Sequence, residues 1–413
     1  MQGKIVRVMT EANVRGDAPN TVTLGDYRET SGRWLEQYRG RVQLVYLDPP
    51  FYTGRQFQSR VQTEEKTVAV DSYRDKFDSM DAYVAEMEQA LRQAHDLLAP
   101  SGTIFLHVDY RTSAWMRLKL DEIFGAGNFI NEIIWAYESG GRARNAFPKK
   151  HDNIYFFAKS RNYFFDLTAV PCGTRGDVTD NHMRRDVDEN GRRYRTIRSS
   201  GKEYRYYDDE PVYPTDVWTD ISHLQQRDPE RSGYETQKPL KLLKRIISSA
   251  SRKGDLVADF FAGSGTTGVA AAQLGRRFLL GDQGSAALLV MDNRLSVGQT
   301  SYLIQAETET DRAVLEAEVT GGEEPAVRLD GFELPETADD RTKPGNAMPC
   351  GLAAIDHWSL GLLSGDAYVR LSAPVRARET VCAAFSGSER DKLAVMVWDY
   401  RGIRRCFRLP AGV

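Results

Sequence analysis

Short apolar runs that stop abruptly at a charge or a turn recur at residues 21–26, 42–48, 103–109, 154–159, 255–263 and 277–282. Continuous apolarity over so few residues is the pattern of a strand covered on both faces, as in a parallel sheet. Helical spacing fills the gaps. Residues 80–98 bring Tyr83, Met87, Leu91 and Leu98 to one side, and residues 239–251 do the same with Leu242, Leu243, Ile246, Ile247 and Ala250. This alternation predicts an α/β fold, a doubly wound Rossmann-like sheet with helices on both faces.

Two regions break the rhythm. Residues 170–233 are rich in Arg, Tyr, Asp and Pro, with no persistent helix or strand period, and read as an insertion. Within 184–205, eight basic residues (Arg184, Arg185, Arg192, Arg193, Arg195, Arg198, Lys202, Arg205) stand against four acids, with Tyr194 and Tyr204 interleaved. Residues 307–340 invert that balance, twelve acids against two bases, and read as a solvated linker or a face that avoids polyanions. Residues 352–409 carry alternating runs at 392–400 and 405–409, which predict a small β-rich appendage.

At 413 residues and 41% hydrophobic content the chain is long enough for two or three units with a sizeable core. The formal net charge of -3 argues mildly against a polyanionic partner, but the average hides the basic cluster. Residues 1–20 are polar and no apolar run approaches the roughly 20 residues needed to span a bilayer, so the expected location is the cytoplasm. Cys172, Cys350, Cys382 and Cys406 form no C-x-x-C pair, which speaks for reduced structural thiols.

Chemistry concentrates at two strand ends. Asp48-Pro49-Pro50-Phe51 follows the run 42–47, where open α/β sheets bind their ligands. An aromatic amino group is a poor nucleophile because its lone pair is delocalised into the ring. A carboxylate at Asp48 and a rigid carbonyl at Pro49 would draw that pair out of conjugation, and Phe51 offers a stacking face. Taken alone, the tetrapeptide is equally compatible with a tight turn that ends a strand.

The second motif is Asp259-Phe260-Phe261-Ala262-Gly263-Ser264-Gly265-Thr266-Thr267, a strand entering a glycine turn and then a helix. No Lys follows Gly265 and the dinucleotide glycine spacing fails, so a cofactor without a bound phosphate fits better. Asp282 ends the next strand, where doubly wound proteins place a carboxylate against ribose hydroxyls.

Together these residues resemble the amino-methylating DNA methyltransferases, and their order, DPPF, basic insert, then D-x-F-x-G-S-G-T-T, looks like the permuted β group. The resemblance covers about residues 21–295, with further matches at Leu24-Gly25-Asp26, His151-Asp152 and Thr236-Gln237-Lys238-Pro239. It implies a catalytic half at 20–169, a target-recognition insert at 170–233 and a cofactor half at 234–298, while composition and alternation set an acidic linker at 299–345 and a β-rich region at 346–413. It also implies S-adenosyl-L-methionine as cofactor, held by Asp259, Phe261, Gly263, Ser264, Gly265, Thr266 and Asp282 with Asp26 and Lys238 nearby. Asp48, Pro49, Pro50 and Phe51 would hold a flipped-out base. The family tetrapeptide usually ends in Tyr, so Phe51 keeps the stacking face and lacks the hydroxyl. Asp at its first position is typical of the adenine enzymes, and Ser of those acting on cytosine.

The implied partner is double-stranded DNA, met by Arg184, Arg185, Arg192, Arg193, Arg195 and Arg198, and by Arg142 and Arg144 beside Gly140-Gly141. The bland alternative for either group is a solvated face. A restriction endonuclease is a further implied partner. His107 and Asp109 lack a third ligand at suitable spacing, so no metal is expected. Trp218, Trp358 and Trp398 read as core. The alternatives left open are methylation of the cytosine amino group and a DNA-binding subunit that needs a partner for its chemistry.

Overall fold

The computed structural model describes residues 7–10, 20–62, 67–137, 144–178, 184–298, 302–305, 314–320, 326–333, 351–364, 367–382 and 391–409. Its centre is a sheet of nine strands. In chain order these are β1 (Asn20–Leu24), β2 (Val42–Leu47), β3 (Leu98–Val108), β4 (Phe129–Ala136), β5 (His151–Ala158), β6 (Val217–Trp218), β7 (Leu256–Asp259), β8 (Arg277–Asp282) and β9 (Tyr302–Gln305). Their spatial order is β6-β4-β5-β3-β2-β7-β8-β1-β9.

Helices cover both faces, as the continuous apolar runs require. They are α1 (Tyr27–Tyr38), α2 (Met80–Leu97), α3 (Ser113–Leu120), α4 (Leu240–Ala250), α5 (Thr266–Gln273) and α6 (Ser285–Val297). Alternate side chains of β2 feed opposite layers. Leu44 and Tyr46 join Leu242, Leu243, Ile246 and Ile247 of α4, whereas Val45 and Leu47 join Tyr83, Met87 and Leu91 of α2. Each such large side chain stabilises the fold by roughly 1.5–3 kcal/mol on burial. Ser79 starts α2 by accepting from the Ala82 N–H at 3.1 Å, and Pro100 prevents the helix from continuing past Leu97.

One strand departs from the parallel expectation, because β5 runs antiparallel to both β3 and β4. The stretch between β4 and β5 contains Gly140-Gly141 and Pro148 and has no helical pattern. Strands joined without a crossover helix pair antiparallel.

The stretch 170–233 is also more ordered than its sequence period suggested. Arg185–Val187, Arg193–Ser199 and Lys202–Tyr207 form an antiparallel sheet. Charged side chains on both faces erase the apolar alternation, but Ser200 and Gly201, at φ 52° and 77°, make the primed two-residue turn that a hairpin favours.

The acidic stretch is likewise not all solvated linker. Val314–Thr320 pairs with Ala326–Glu333, and Val327, Leu329 and Phe332 are buried. Ile355–Ser364, Ala367–Arg370, Leu393–Asp399 and Arg404–Arg408 build a second sheet whose edge is completed by Arg7–Thr10. Trp218, Trp358 and Trp398 are core residues. No helix among the described residues is long and apolar enough to cross a membrane.

Candidate active site

Strands β2 and β7 lie side by side, with Leu44 opposite Val257 and Val45 opposite Ala258, although some two hundred residues of chain separate them. From β2 the chain builds the sheet outward to one side, and from β7 to the other. The crevice beyond their carboxyl ends is therefore the switch point at which such sheets take ligands. It holds a cavity of about 320 Å³ whose wall includes Asp48, Pro49, Pro50 and Phe51 from the first motif and Asp259, Phe261, Gly263, Ser264, Thr266 and Asp282 from the second.

The peptide after β2 is shaped by Asp75, a buried residue at the end of the strand Thr67–Asp75. One carboxylate oxygen, Oδ1, accepts from the Tyr52 N–H at 2.8 Å. The other accepts from Phe51 N at 3.2 Å, Thr53 N at 2.9 Å and Thr53 Oγ1 at 2.7 Å. These bonds hold Tyr52 at φ 59°, a left-handed conformation that costs a non-glycine residue about 1–2 kcal/mol. Asp75 has no motif of its own, and sequence reading missed it.

Lys238 donates to Asp48 Oδ2, and its ammonium sits 5.2 Å from the centre of the Phe51 ring. Asp48 Oδ1 is buried and has no hydrogen-bond partner among the described residues. Lys238, expected beside the cofactor, thus sits directly on the catalytic candidate as well as in the cavity wall. Behind Phe51 lies His107, 5.8 Å away between ring centres. Tyr46 Oη is 2.8 Å from His107 Nδ1, and Asp152 Oδ2 is 3.3 Å from Nε2. Burial alone would raise the pKa of Asp152, but the bonds and charge of His107 and the nearby Lys238 hold it below the ordinary carboxylate value. Asp109 instead pairs with Arg111. His107 is thus a buried support for the aromatic wall.

In the second motif the polar groups order the turn. Asp259 accepts from Phe261 N at 3.0 Å and Thr267 Oγ1 at 2.6 Å, and burial pushes its pKa up to about 7. Asp282 accepts from Gly263 N at 2.9 Å and Gly284 N at 2.8 Å, and burial raises it to about 6. Gly265 is at φ +73°, and a Cβ there would stand 2.6 Å from Met291 Cγ, so side chains are excluded both by conformation and by space. Phe261 meets Tyr27 at 5.4 Å between ring centres. The bare glycine turn, the flanking aromatics and the carboxylate of Asp282 suit a compact nucleoside-bearing cofactor.

One expected site residue lies next to the cavity but not in its wall, and another is withdrawn from the surface. Asp26 caps α1 and pairs with Arg28 at 2.7 Å, outside the cavity wall, because its carboxylate is taken up by the Arg28 side chain and N–H. Arg195 is buried at 1% exposure against Asp208, so packing at the base of its small sheet withdraws it from any surface contact. Arg192 is paired with Asp209 at 2.7 Å and lies over Tyr207. Arg144, Arg184, Arg185, Arg193 and Arg198 are exposed. Arg142 lies outside the described residues.

A family profile described as DNA methylase, of the N6/N4 type, matches residues 42–290, more than half of the chain. The type II methyltransferase M.EcaI of Enterobacter cloacae is 25% identical over 326 residues, which span 68% of this chain and 70% of that one. The DNA adenine methyltransferase YhdJ of Escherichia coli K12 is 25% identical over 240 residues, 58% of this chain and 70% of that one. Among solved structures, the PvuII DNA methyltransferase described as cytosine-N4-specific is 16% identical, with a TM-score of 0.44 over 68% of this chain and 89% of that one. M1.HpyAVI in complex with SAM is 17% identical, with a TM-score of 0.41 over 67% and 98%.

Proposed function

The chain belongs to the N6/N4 DNA methylase family, and on that premise we propose that it methylates the exocyclic amino group of adenine in DNA, as a member of the permuted β group. S-adenosylmethionine is the donor and supplies an electrophilic methyl group when bound. The observation that carries the reading is Asp48 itself. Its Oδ2 is occupied by Lys238, while Oδ1, buried in the cavity wall, lacks a donor among the described residues. An amino N–H of a flipped-out base supplies that donor, and the Pro49 carbonyl is the second acceptor.

In this reading Phe51, backed by His107, stacks on the base, and Pro50 keeps the peptide rigid. Stacking returns roughly 1–3 kcal/mol of the cost of extruding the nucleotide. Asp282 accepts from the ribose hydroxyls, Phe261 and Tyr27 flank the adenosyl group, and Ser264, Gly265 and Thr266 form the turn beneath it. Asp259 acts by holding that turn.

The insert at 170–233 is assigned to DNA by its charge pattern. Cross-strand pairs share a face, so Arg185, Val187, Arg193, Ile197, Lys202 and Tyr204 lie on one side of the small sheet, together with Tyr206 and the buried Arg195. The acids Asp186 and Glu203 fall on the other, where Arg198 and Arg205 pair with Glu203. The first face is cationic and apolar, which suits contact with phosphates and groove edges. A place beside a restriction endonuclease follows from the family resemblance alone.

The test is to incubate the protein with unmethylated DNA and methyl-labelled S-adenosylmethionine and digest to nucleosides. Amino-labelled deoxyadenosine is expected, and labelled deoxycytidine would overturn the adenine assignment. Asp48→Ala should abolish transfer while cofactor binding persists; full activity in that variant would sink the mechanism.

A further inference from the structure

Helix α6 is held from two sides. Asp292, fully enclosed, accepts from Tyr302 Oη at 2.6 Å, from Arg370 Nη2 at 3.1 and 3.0 Å, and faces His357 Nε2 at 3.0 Å. The other His357 nitrogen, Nδ1, is 2.8 Å from Asp356 Oδ2. Arg370, His357 and Asp356 all belong to the C-terminal sheet.

Two residues further along α6, Arg294 Nη1 donates to Ser264 O at 2.8 Å, Ser264 Oγ at 3.1 Å and Thr266 Oγ1 at 2.8 Å. Thr266 Oγ1 in turn donates to the Lys238 carbonyl at 3.1 Å, and Lys238 holds Asp48. Residues two apart on a helix point about 200° apart, so α6 is clamped between the sheet and the glycine turn. Arg294 stands behind the cavity wall, which Ser264 and Thr266 form.

A buried ionic cluster is a weak source of stability, because desolvation of its members offsets their attraction, but it fixes register where geometry is exacting. We propose that Arg294 is a positioning residue for the cofactor turn and that the C-terminal sheet, gripping α6 at Asp292, sets its reach. The C-terminal region is then a buttress of the donor pocket. This rests on the reading of the cavity as the S-adenosylmethionine site.

The experiment is calorimetric titration of S-adenosylhomocysteine into the full chain, with DNA affinity and thermal melting measured in parallel. Arg294→Gln removes the charged donor and should weaken cofactor binding about tenfold, the worth of one charged hydrogen bond. DNA affinity and cooperative melting should be unchanged. Arg294→Lys, which returns a cation toward Ser264 and Thr266, should recover most of the loss. His357→Gln has its donors on a single nitrogen and cannot span both carboxylates, and should weaken cofactor binding severalfold from outside the pocket. If that variant does not fold, Asn293→Ala carries the same arm, since it removes only the 3.1 Å bond to Asp356.

Cofactor affinity at the original level in Arg294→Gln overturns the proposal, as does a parallel loss of DNA and cofactor binding that Arg294→Lys does not reverse. No binding by the unmodified chain overturns the cavity assignment and this proposal with it. Binding by the unmodified chain together with an unaffected Arg294→Gln overturns the proposal alone.

Discussion

Replacing Asp75 by Asn tests whether the catalytic peptide is shaped from outside its own motif. The carboxylate serves four donors with two oxygens, three on Oδ2 and one on Oδ1. An amide keeps a single oxygen. In its better orientation the oxygen takes the Oδ2 position, and the NH2 group then confronts the Tyr52 N–H. One bond to a carboxylate, about 1.5–3 kcal/mol, is lost and the others weaken toward neutral strength, a total of roughly 3 kcal/mol. Tyr52, no longer held at φ 59°, relaxes toward the right-handed region and displaces Phe51 and Pro49 from the cavity wall. At about 1.4 kcal/mol per decade of rate, the rate constant for methyl transfer should fall about a hundredfold. The assay is single-turnover label transfer at saturating cofactor and DNA, with cofactor affinity as the control, since Asp75 does not touch the glycine turn. A folded Asp75→Asn protein with an undiminished rate would refute the reasoning, because some other contact would then be fixing the loop.

Two further outcomes are expected. Burial raises Asp282 to about 6, with the Gly284 and Gly263 N–H groups pulling it back. If ribose hydroxyls donate to its ionised form, cofactor affinity is full above that pH and falls as pH drops through it, which titration of S-adenosylhomocysteine between pH 5 and 8 would reveal; a flat profile would remove Asp282 from ribose binding. On the insert, Arg193→Ala should weaken binding to all DNA sequences alike and flatten the log–log salt dependence by about one unit, whereas Glu203→Gln on the opposite face should not flatten it. Equal slopes for Arg193→Ala and the unmodified protein would take that face away from the phosphates.

Local information carried the fold a long way. The runs at β2, β7 and β8 end within a few residues of where the sequence placed them, because a strand buried on both faces has to be apolar throughout. The two motifs were legible for a related reason. Rigid prolines and bare glycines are demanded by what the backbone must do at that point, and so are visible without partners. The same logic fails for charged strands. Arg193–Ser199 and Lys202–Tyr207 pair through backbone bonds, with charged side chains on both faces, and the one local mark they carry, the Ser200-Gly201 turn, went unread in the sequence.

What the chain alone determined, then, is its alternating architecture and the two motifs at the strand ends, since each depends on residues adjacent in sequence. Tertiary structure decided which groups are occupied and by what. Asp75 reaches the peptide after Asp48, Lys238 crosses to Oδ2 of that aspartate, Arg195 is withdrawn against Asp208, and Arg294 braces Ser264 and Thr266. A carboxylate or a guanidinium carries no mark in sequence of the partner it will meet. Its role is set by burial and by distances of about 3 Å, the reach of a hydrogen bond, and those exist only once distant strands have been laid side by side.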